Sequence, residues 1–204
     1  MNLSLSESLL QMNIDFSDDQ LQSLTSFIEL LHKWNKVYNL TAIRDKNEMV
    51  NTHLLDSLSI LPFLNPAQRI LDVGSGAGLP GIPLAIFLPQ KQFVLLDSNV
   101  KKTRFIQQAI VELRIRNVQV VHSRVEKYHP NELFDCITTR AFATIANTLE
   151  LVDHLLEKHG KLLFMKSNTA EAELEQAKFA YNHELIDLFV PGIDANRCLV
   201  VLSR

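Results

Sequence analysis

The chain has 204 residues, 47% hydrophobic and 21% charged, with 20 Lys and Arg against 23 Asp and Glu for a formal net charge of -3. That length fits one domain of ordinary size with a small extension, and the charge excludes a protein that coats long nucleic acid through bulk basicity. No apolar run approaches a membrane span, the opening MNLSLSESLLQ lacks the pattern of a secretory signal, and Cys136 and Cys198 stand apart from any CxxC, which fits buried thiols in a reducing, cytoplasmic setting.

Residues 1–68 read as helical. Leu3, Leu5, Leu9 and Leu10 predict a short first helix. Ser17 followed by Gln20 is a capping-box pair. Leu21, Leu24, Phe27, Ile28, Leu31 and Trp34 then recur at helical spacing, predicting a second helix that ends near Asn35. A third starts over Asp45 to Met49, and Pro62 and Pro66 bracket a linker. The segment is too apolar to be a tail. It is expected to pack as an N-terminal helical extension, 1–68, on a main domain, 69–204.

The main domain opens on RILDVGSGAGLPGIP, Arg69 to Pro83. Ile70, Leu71 and Val73 make a strand. Gly74, Gly76, Gly78 and Gly81 follow, from a chain with only 6 glycines. Glycine gives up the most backbone freedom on folding, so such a cluster marks a tight turn and a close approach. A strand, a glycine turn and a helix near 81–87 form the arrangement that binds nucleotide-like ligands at the carboxyl edge of an open α/β sheet. The spacing departs from G-x-G-x-x-G and suits a nucleoside without a pyrophosphate. Asp97 ends the next strand (92–96), 97 − 74 = 23 residues after Gly74, where a carboxylate can accept from ribose hydroxyls. A structural turn with a helix-capping aspartate is the competing reading.

Beyond Asp97, helix and strand alternate. A helix is expected from Lys101 to about Leu113, strands at 118–122 and 134–138, a helix over 143–156 and a strand at 161–166. A helix over 170–180 and strands near 184–189 and 197–202 complete the pattern, with Pro191 and Gly192 turning the last pair into an antiparallel hairpin. Parallel strands with crossover helices, closed by a hairpin, predict an α/β fold with a mixed open sheet and helices on both faces.

The loops after successive strands offer candidate contacts to one cleft. These are the glycine turn, Asp97, the Val125–Glu126 pair for an adenine edge, and Arg140, suited to grip a carboxylate or phosphate. Lys101, Lys102 and Arg104, with Lys33, Lys36 and Arg44 of the extension, form either a phosphate-facing patch or an ordinary charged surface. His53 and Asp56, three apart on a helix face, either orient a substrate or hold the extension to the cleft. Trp34 reads as a core anchor. The chain has no HExxH or Cys/His cluster, no G-x-x-x-x-G-K-[ST] and no G-x-S-x-G. Metal, nucleoside triphosphate and serine-hydrolase sites are therefore not expected.

In combination, LHKWNKVYNLTAIRD (31–45), HLLDSL (53–58), LDVGSGAGLPGIPLAI (71–86), LLDSNVKKTRF (95–105), SRVE (123–126), TRAFA (139–143) and RCLVV (197–201) resemble a known family. It is the bacterial small-subunit ribosomal RNA methyltransferases that make 7-methylguanosine, also called glucose-inhibited division protein B. The resemblance implies a Rossmann-like class I methyltransferase domain of about seven strands, an N-terminal helical extension and S-adenosyl-L-methionine as cofactor. It implies 16S ribosomal RNA as partner, in the small subunit or an assembly intermediate, and a monomeric enzyme without metal. It maps cofactor contacts onto Gly74, Leu79, the Val125–Glu126 pair and Arg140, with Asp97 matching the family's acid after the second strand; Gly76 and Gly78 of the same loop are candidate contacts beside them. His53 and Asp56 match the family's HxxD segment and Lys166 its patterned lysine near the end of the fifth strand; with Lys101, Lys102 and Arg104 of the basic stretch they are the candidate substrate contacts. The chain departs from the family pattern at Ser167, where glycine is usual, and at Asn99–Val100. Guanine N7 has an exposed lone pair, so no general base is expected, and Arg140 is expected to clamp or position. Two rival readings keep the fold: methylation of a small molecule or protein, and a non-catalytic ribosomal RNA-binding assembly factor.

Overall fold

The computed structural model describes residues 4–177 and 180–204. Leu3 of the predicted first helix and residues 178–179 of the helix predicted over 170–180 lie outside them. Helix α1 (Leu5–Gln11) starts at a capping box made by Ser4 and Glu7, which the sequence reading overlooked. Helix α2 (Asp18–Tyr38) starts at the predicted one: Ser17 Oγ accepts from the Gln20 N–H at 3.2 Å, and the Gln20 side chain accepts from the Ser17 N–H at 2.8 Å. It runs past the expected end at Asn35. Asn39 stops it at φ 52° and ψ 53°, a left-handed conformation that asparagine tolerates better than most residues.

Helix α3 (Lys46–Met49) is capped by Asp45 and runs on through a π-helical segment, Val50–Leu55, into α4 (Asp56–Leu58). Such wider turns recur at functional sites, and this one carries His53 and leads into Asp56.

Strands β1 (Arg69–Val73), β2 (Gln92–Asp97), β3 (Val118–His122), β4 (Phe134–Arg140), β5 (Leu156–Lys166), β6 (Asn182–Asp187) and β7 (Cys198–Ser203) form one sheet, ordered β3-β2-β1-β4-β5-β7-β6. Pairs up to β5 are parallel, while β5–β7 and β6–β7 are antiparallel. Helices α5 (Gly81–Phe87), α6 (Val100–Glu112), α7 (Ile145–Val152) and α8 (Ala170–Gln176) join them. The helix expected over 143–156 is shorter than predicted. It gives way to a 3-10 turn, Asp153–Leu155, and then to β5. Leu156 pairs with Phe134 and is buried, so sheet pairing outweighs the helical look of this stretch.

Alternate residues of each strand face opposite layers. Leu71, Val94, Ile137 and Phe164 pack with α7 residues Ile145 and Val152. Ile70, Phe93, Cys136 and Leu163 share the other layer with Leu24 and Phe27 of α2. Phe105 of α6 packs on α2 in that second layer, with its ring centroid 6.1 Å from Phe27 and 5.7 Å from Trp34. Cys136 and Cys198 are buried free thiols. Among the described residues, no helix is long and apolar enough to cross a membrane. Strand order reverses between β1 and β4, which opens a crevice at their carboxyl ends.

Candidate active site

The glycine loop enters this crevice from β1. Gly74, Gly76 and Gly78 have φ of 68°, 58° and 79°, where L-residues are strained. Two of them also lack room: a Cβ on Gly74 would lie 2.5 Å from Phe142 Cδ2, and one on Gly78 2.7 Å from Ile82 Cγ1. Below the loop, the fully buried Asp72 accepts the Gly81 N–H through Oδ2 at 2.9 Å. Its Oδ1 has no hydrogen-bond partner among the described residues. Burial pushes this carboxyl up to about 7, although the Gly81 bond and Arg140 pull the other way.

Asp97 ends β2. Its Oδ2 accepts from the Gly76 N–H at 2.8 Å and its Oδ1 from the Asn99 N–H at 2.7 Å, which ties the glycine loop to the start of α6. Each carboxylate oxygen keeps a second lone pair, so Asp97 can still accept hydroxyls from a ligand. It lines a cavity of about 440 Å³ with Gly74, Lys102, Val125, Glu126 and Phe142. That volume lies in the range of small-molecule sites.

A second cavity of about 620 Å³ includes Glu48, His53, Asp56, Arg140, Lys166 and Arg197 in its lining. Ala141 lines both cavities. At φ 49° it bends the chain so that Arg140 borders one and Phe142 the other. A left-handed non-glycine residue at such a junction is strain held by its surroundings.

Charge in the second cavity is mostly paired. Arg140 Nη1 donates to Asp56 Oδ2 at 3.0 Å and to the Thr52 carbonyl at 2.8 Å. Arg197 Nε donates to Asp56 Oδ1 at 3.2 Å. The buried Asp56 thus joins β4 and the residue before β7 to the helical extension. Lys166 Nζ donates to Glu173 Oε2 at 2.8 Å and to the Ala143 carbonyl at 2.5 Å. His53 lies with Nδ1 3.1 Å from the Thr52 carbonyl and Nε2 2.9 Å from Thr41 Oγ1. Burial, helped by the Arg140 charge, pushes His53 down to about 4, so the ring is neutral near pH 7. A carbonyl can only accept. The Thr52 carbonyl thus favours the proton on Nδ1, leaving Nε2 to accept from the Thr41 hydroxyl, while Arg140 Nη2, a donor 3.5 Å from the same Nδ1, works against it.

Of the sequence-predicted residues, Gly74, Asp97, Lys102, Val125 and Glu126 line the first cavity. His53, Asp56, Arg140 and Lys166 line the second. Gly76 and Gly78 shape the loop, and Leu79 is buried with its N–H bonded to the Ser75 carbonyl. Lys101 and Arg104 are exposed on α6. The carboxylate in the grip of Arg140 is the protein's own Asp56. Sequence reasoning missed Glu48, Phe142, Glu173 and Arg197 as site residues. The TRAFA and RCLVV stretches carried the available signal for Phe142 and Arg197. Among the described residues, no group of three or more His, Cys, Asp or Glu could hold a metal ion.

Residues 20–200 match the family described as rRNA small subunit methyltransferase G. Ribosomal RNA small subunit methyltransferase G of Nitrosococcus oceani is 49% identical over 199 residues, covering 97% of this chain and 92% of its own length. The protein of that name from Haemophilus influenzae is 45% identical over 203 residues, covering 99% of this chain and 100% of its own length. Among solved structures, ribosomal protein L11 methylase from Lactobacillus delbrueckii subsp. bulgaricus is similar at TM-score 0.60 and 16% identity, over 74% of this chain and 77% of that one. A SAM dependent methyltransferase from Aquifex aeolicus is similar at TM-score 0.58 and 16% identity, over 74% of this chain and 91% of that one. Those structures carry the fold, which is the predicted Rossmann-like class I methyltransferase fold. The sequence matches carry more, because they extend over the extension, the glycine loop and the hairpin alike: the chain belongs to the rRNA small subunit methyltransferase G family.

Proposed function

We propose that the protein transfers a methyl group from S-adenosyl-L-methionine to N7 of a guanine in 16S ribosomal RNA. The observation that carries this reading is the junction at Ala141 of two cavities, one suited to an adenosyl ligand and one lined by charged side chains. In the first, Asp97 would hold the ribose hydroxyls and Val125 would give the adenine an apolar contact. Gly74, at positive φ and without a Cβ, lets the Phe142 ring pack directly against the loop. When bound, the cofactor supplies a methyl carbon made electrophilic by its sulfonium.

The protein's own task is modest. Guanine N7 attacks without losing a proton, so alignment and exclusion of water are the terms that count. The ring becomes cationic, and a bare guanidinium beside it would oppose that change. Asp56, shared with Arg197, offsets part of the charge beside Arg140, and neutral His53 adds none. Arg140 thus positions the β4 end rather than acting as an acid or base.

The RNA partner is supported by charge placement. Stretches 30–44 and 98–111 hold Lys33, Lys36, Arg44, Lys101, Lys102 and Arg104 with no Asp or Glu, although the chain's net charge is -3. The Trp34–Phe105 ring contact sets α2 beside α6, and Lys102 of α6 lines the first cavity, which supports a phosphate-facing role for this charge. Because N7 lies in the deep, narrow major groove of duplex RNA, the target is an exposed guanine. The reading includes a cytoplasmic monomer that acts on the small subunit or an assembly intermediate.

The test is tritium transfer from labelled cofactor to undermodified small subunits, followed by mapping of the base. Asp97→Asn should weaken cofactor binding in calorimetry. Arg140→Ala should lower turnover while cofactor affinity holds. Transfer to small acceptors or proteins but none to ribosomal particles would overturn the reading.

A further inference from the structure

The lining of the second cavity includes three carboxylates, those of Glu48, Asp56 and Glu173. Two are spent on the protein's own cations: Asp56 on Arg140 and Arg197, and Glu173 on Lys166. Glu48 differs. Its backbone is held at both ends, its N–H by Asp45 Oδ1 at 2.9 Å and its carbonyl by Thr52 Oγ1 at 2.6 Å. Among the described residues its carboxylate makes no ion pair or hydrogen bond. A carboxyl at the wall of a cavity large enough for a nucleoside, on a fixed backbone and with both oxygens unpaired, is open to donors from a ligand.

We infer that Glu48 reads the Watson–Crick edge of the target guanine, accepting from N1–H and from the N2 amino group through its two oxygens. This rests on the function proposed above and names the group that selects the base. Guanine presents two adjacent donors on that edge. Adenine, cytosine and uracil each place an acceptor beside their donor, which a carboxylate repels. Glu48 lies on α3, whereas the junction with the first cavity is Ala141, after β4. A guanine held on α3 by its Watson–Crick edge turns the opposite, N7 edge away from α3 and toward that junction. The chemistry adds a second effect. As the ring gains positive charge, N1–H and the amino group become stronger donors, so both bonds strengthen in the transition state and raise kcat.

The experiment is a double-mutant cycle between protein and RNA. Small subunits are reconstituted with guanine or inosine at the mapped target; inosine keeps N7 and N1–H but lacks the amino group. Wild-type protein and Glu48→Gln are assayed on both. Because Glu48 is exposed and its side chain is unbonded, the variant should fold, and cofactor binding by calorimetry checks that it does. Glu48→Gln should lose on the order of 10- to 100-fold in kcat/KM on guanine, the scale of hydrogen bonds to a charged group, with most of the loss in kcat. Inosine should cost the wild type on the order of tenfold and cost Glu48→Gln far less. Wild-type rates in Glu48→Gln, or penalties that simply multiply, would overturn the inference alone. A wild-type protein that methylates no particle would overturn the proposed function and this inference together.

Discussion

Asp72 gives the sharpest test of the electrostatics beneath the glycine loop. Its carboxyl is fully buried, with one oxygen on the Gly81 N–H and the other unpartnered among the described residues. Raised from 3.8 to about 7, it favours the protonated form by about 4 kcal/mol. The folded state thus holds this proton more tightly than the unfolded chain. The stability it contributes is complete below about pH 4, drains away as pH rises through about 7, and is gone above that. Between pH 5 and pH 8 the loss should be about 2 to 3 kcal/mol. Asp72→Asn keeps the shape and an oxygen for the Gly81 N–H but cannot ionise, so its stability should lack this slope. Urea unfolding of both proteins at the two pH values gives the result as a double difference, in which groups common to both cancel. Relative to wild type, the variant should gain about 2 to 3 kcal/mol on going from pH 5 to pH 8. Stability curves that stay parallel across this range would refute the reasoning.

Gly76→Ala and Gly78→Ala separate backbone strain from crowding. Both sites have positive φ, which costs about 1–2 kcal/mol for an L-residue, but a Cβ at Gly76 makes only ordinary contacts, the nearest the Gly74 carbonyl oxygen at 3.8 Å, while one at Gly78 meets Ile82 Cγ1 at 2.7 Å. Overpacking should add about 1–3 kcal/mol at Gly78 only, and equal losses in thermal melts would count against the loop geometry. Asp56→Ala leaves Arg140 and Arg197 without their shared carboxylate and should cost about 2–4 kcal/mol in urea unfolding. The double variant Asp56→Ala/Arg140→Ala should recover part of that loss, and a strictly additive result would deny the coupling. His53 should titrate near 4 rather than 6.5 by NMR. Its folded value is depressed, so the neutral form supports the fold above pH 6.5. As pH falls from 6.5 toward 4 that support is lost, by up to about 3 kcal/mol. An ordinary titration near 6.5 would place the ring in solvent.

Features written in short spacings were legible before any coordinates. The Ser17–Gln20 capping box, the six apolar residues of α2 at helical spacing, the glycine turn after β1 and Asp97 at the end of β2 all depend on neighbours a few residues apart or on one βαβ unit. The crossover pattern likewise called for the mixed sheet and its terminal hairpin. Local spacing misled where distant pairing overruled it, as at Leu156, which joins β4 instead of extending a helix. It was silent on the charge network of the second cavity. Asp56 meets Arg140 across 84 residues and Arg197 across 141, and no spacing rule reaches that far. Those contacts exist because β1 and β4 pair and β7 inserts beside β5, bringing the ends of both segments up against the helical extension. The chain alone determined which residues could do chemistry with a nucleoside. Sheet order decided that Asp56 is shared by two distant arginines, while Glu48 on α3 was left without a cation among the described residues.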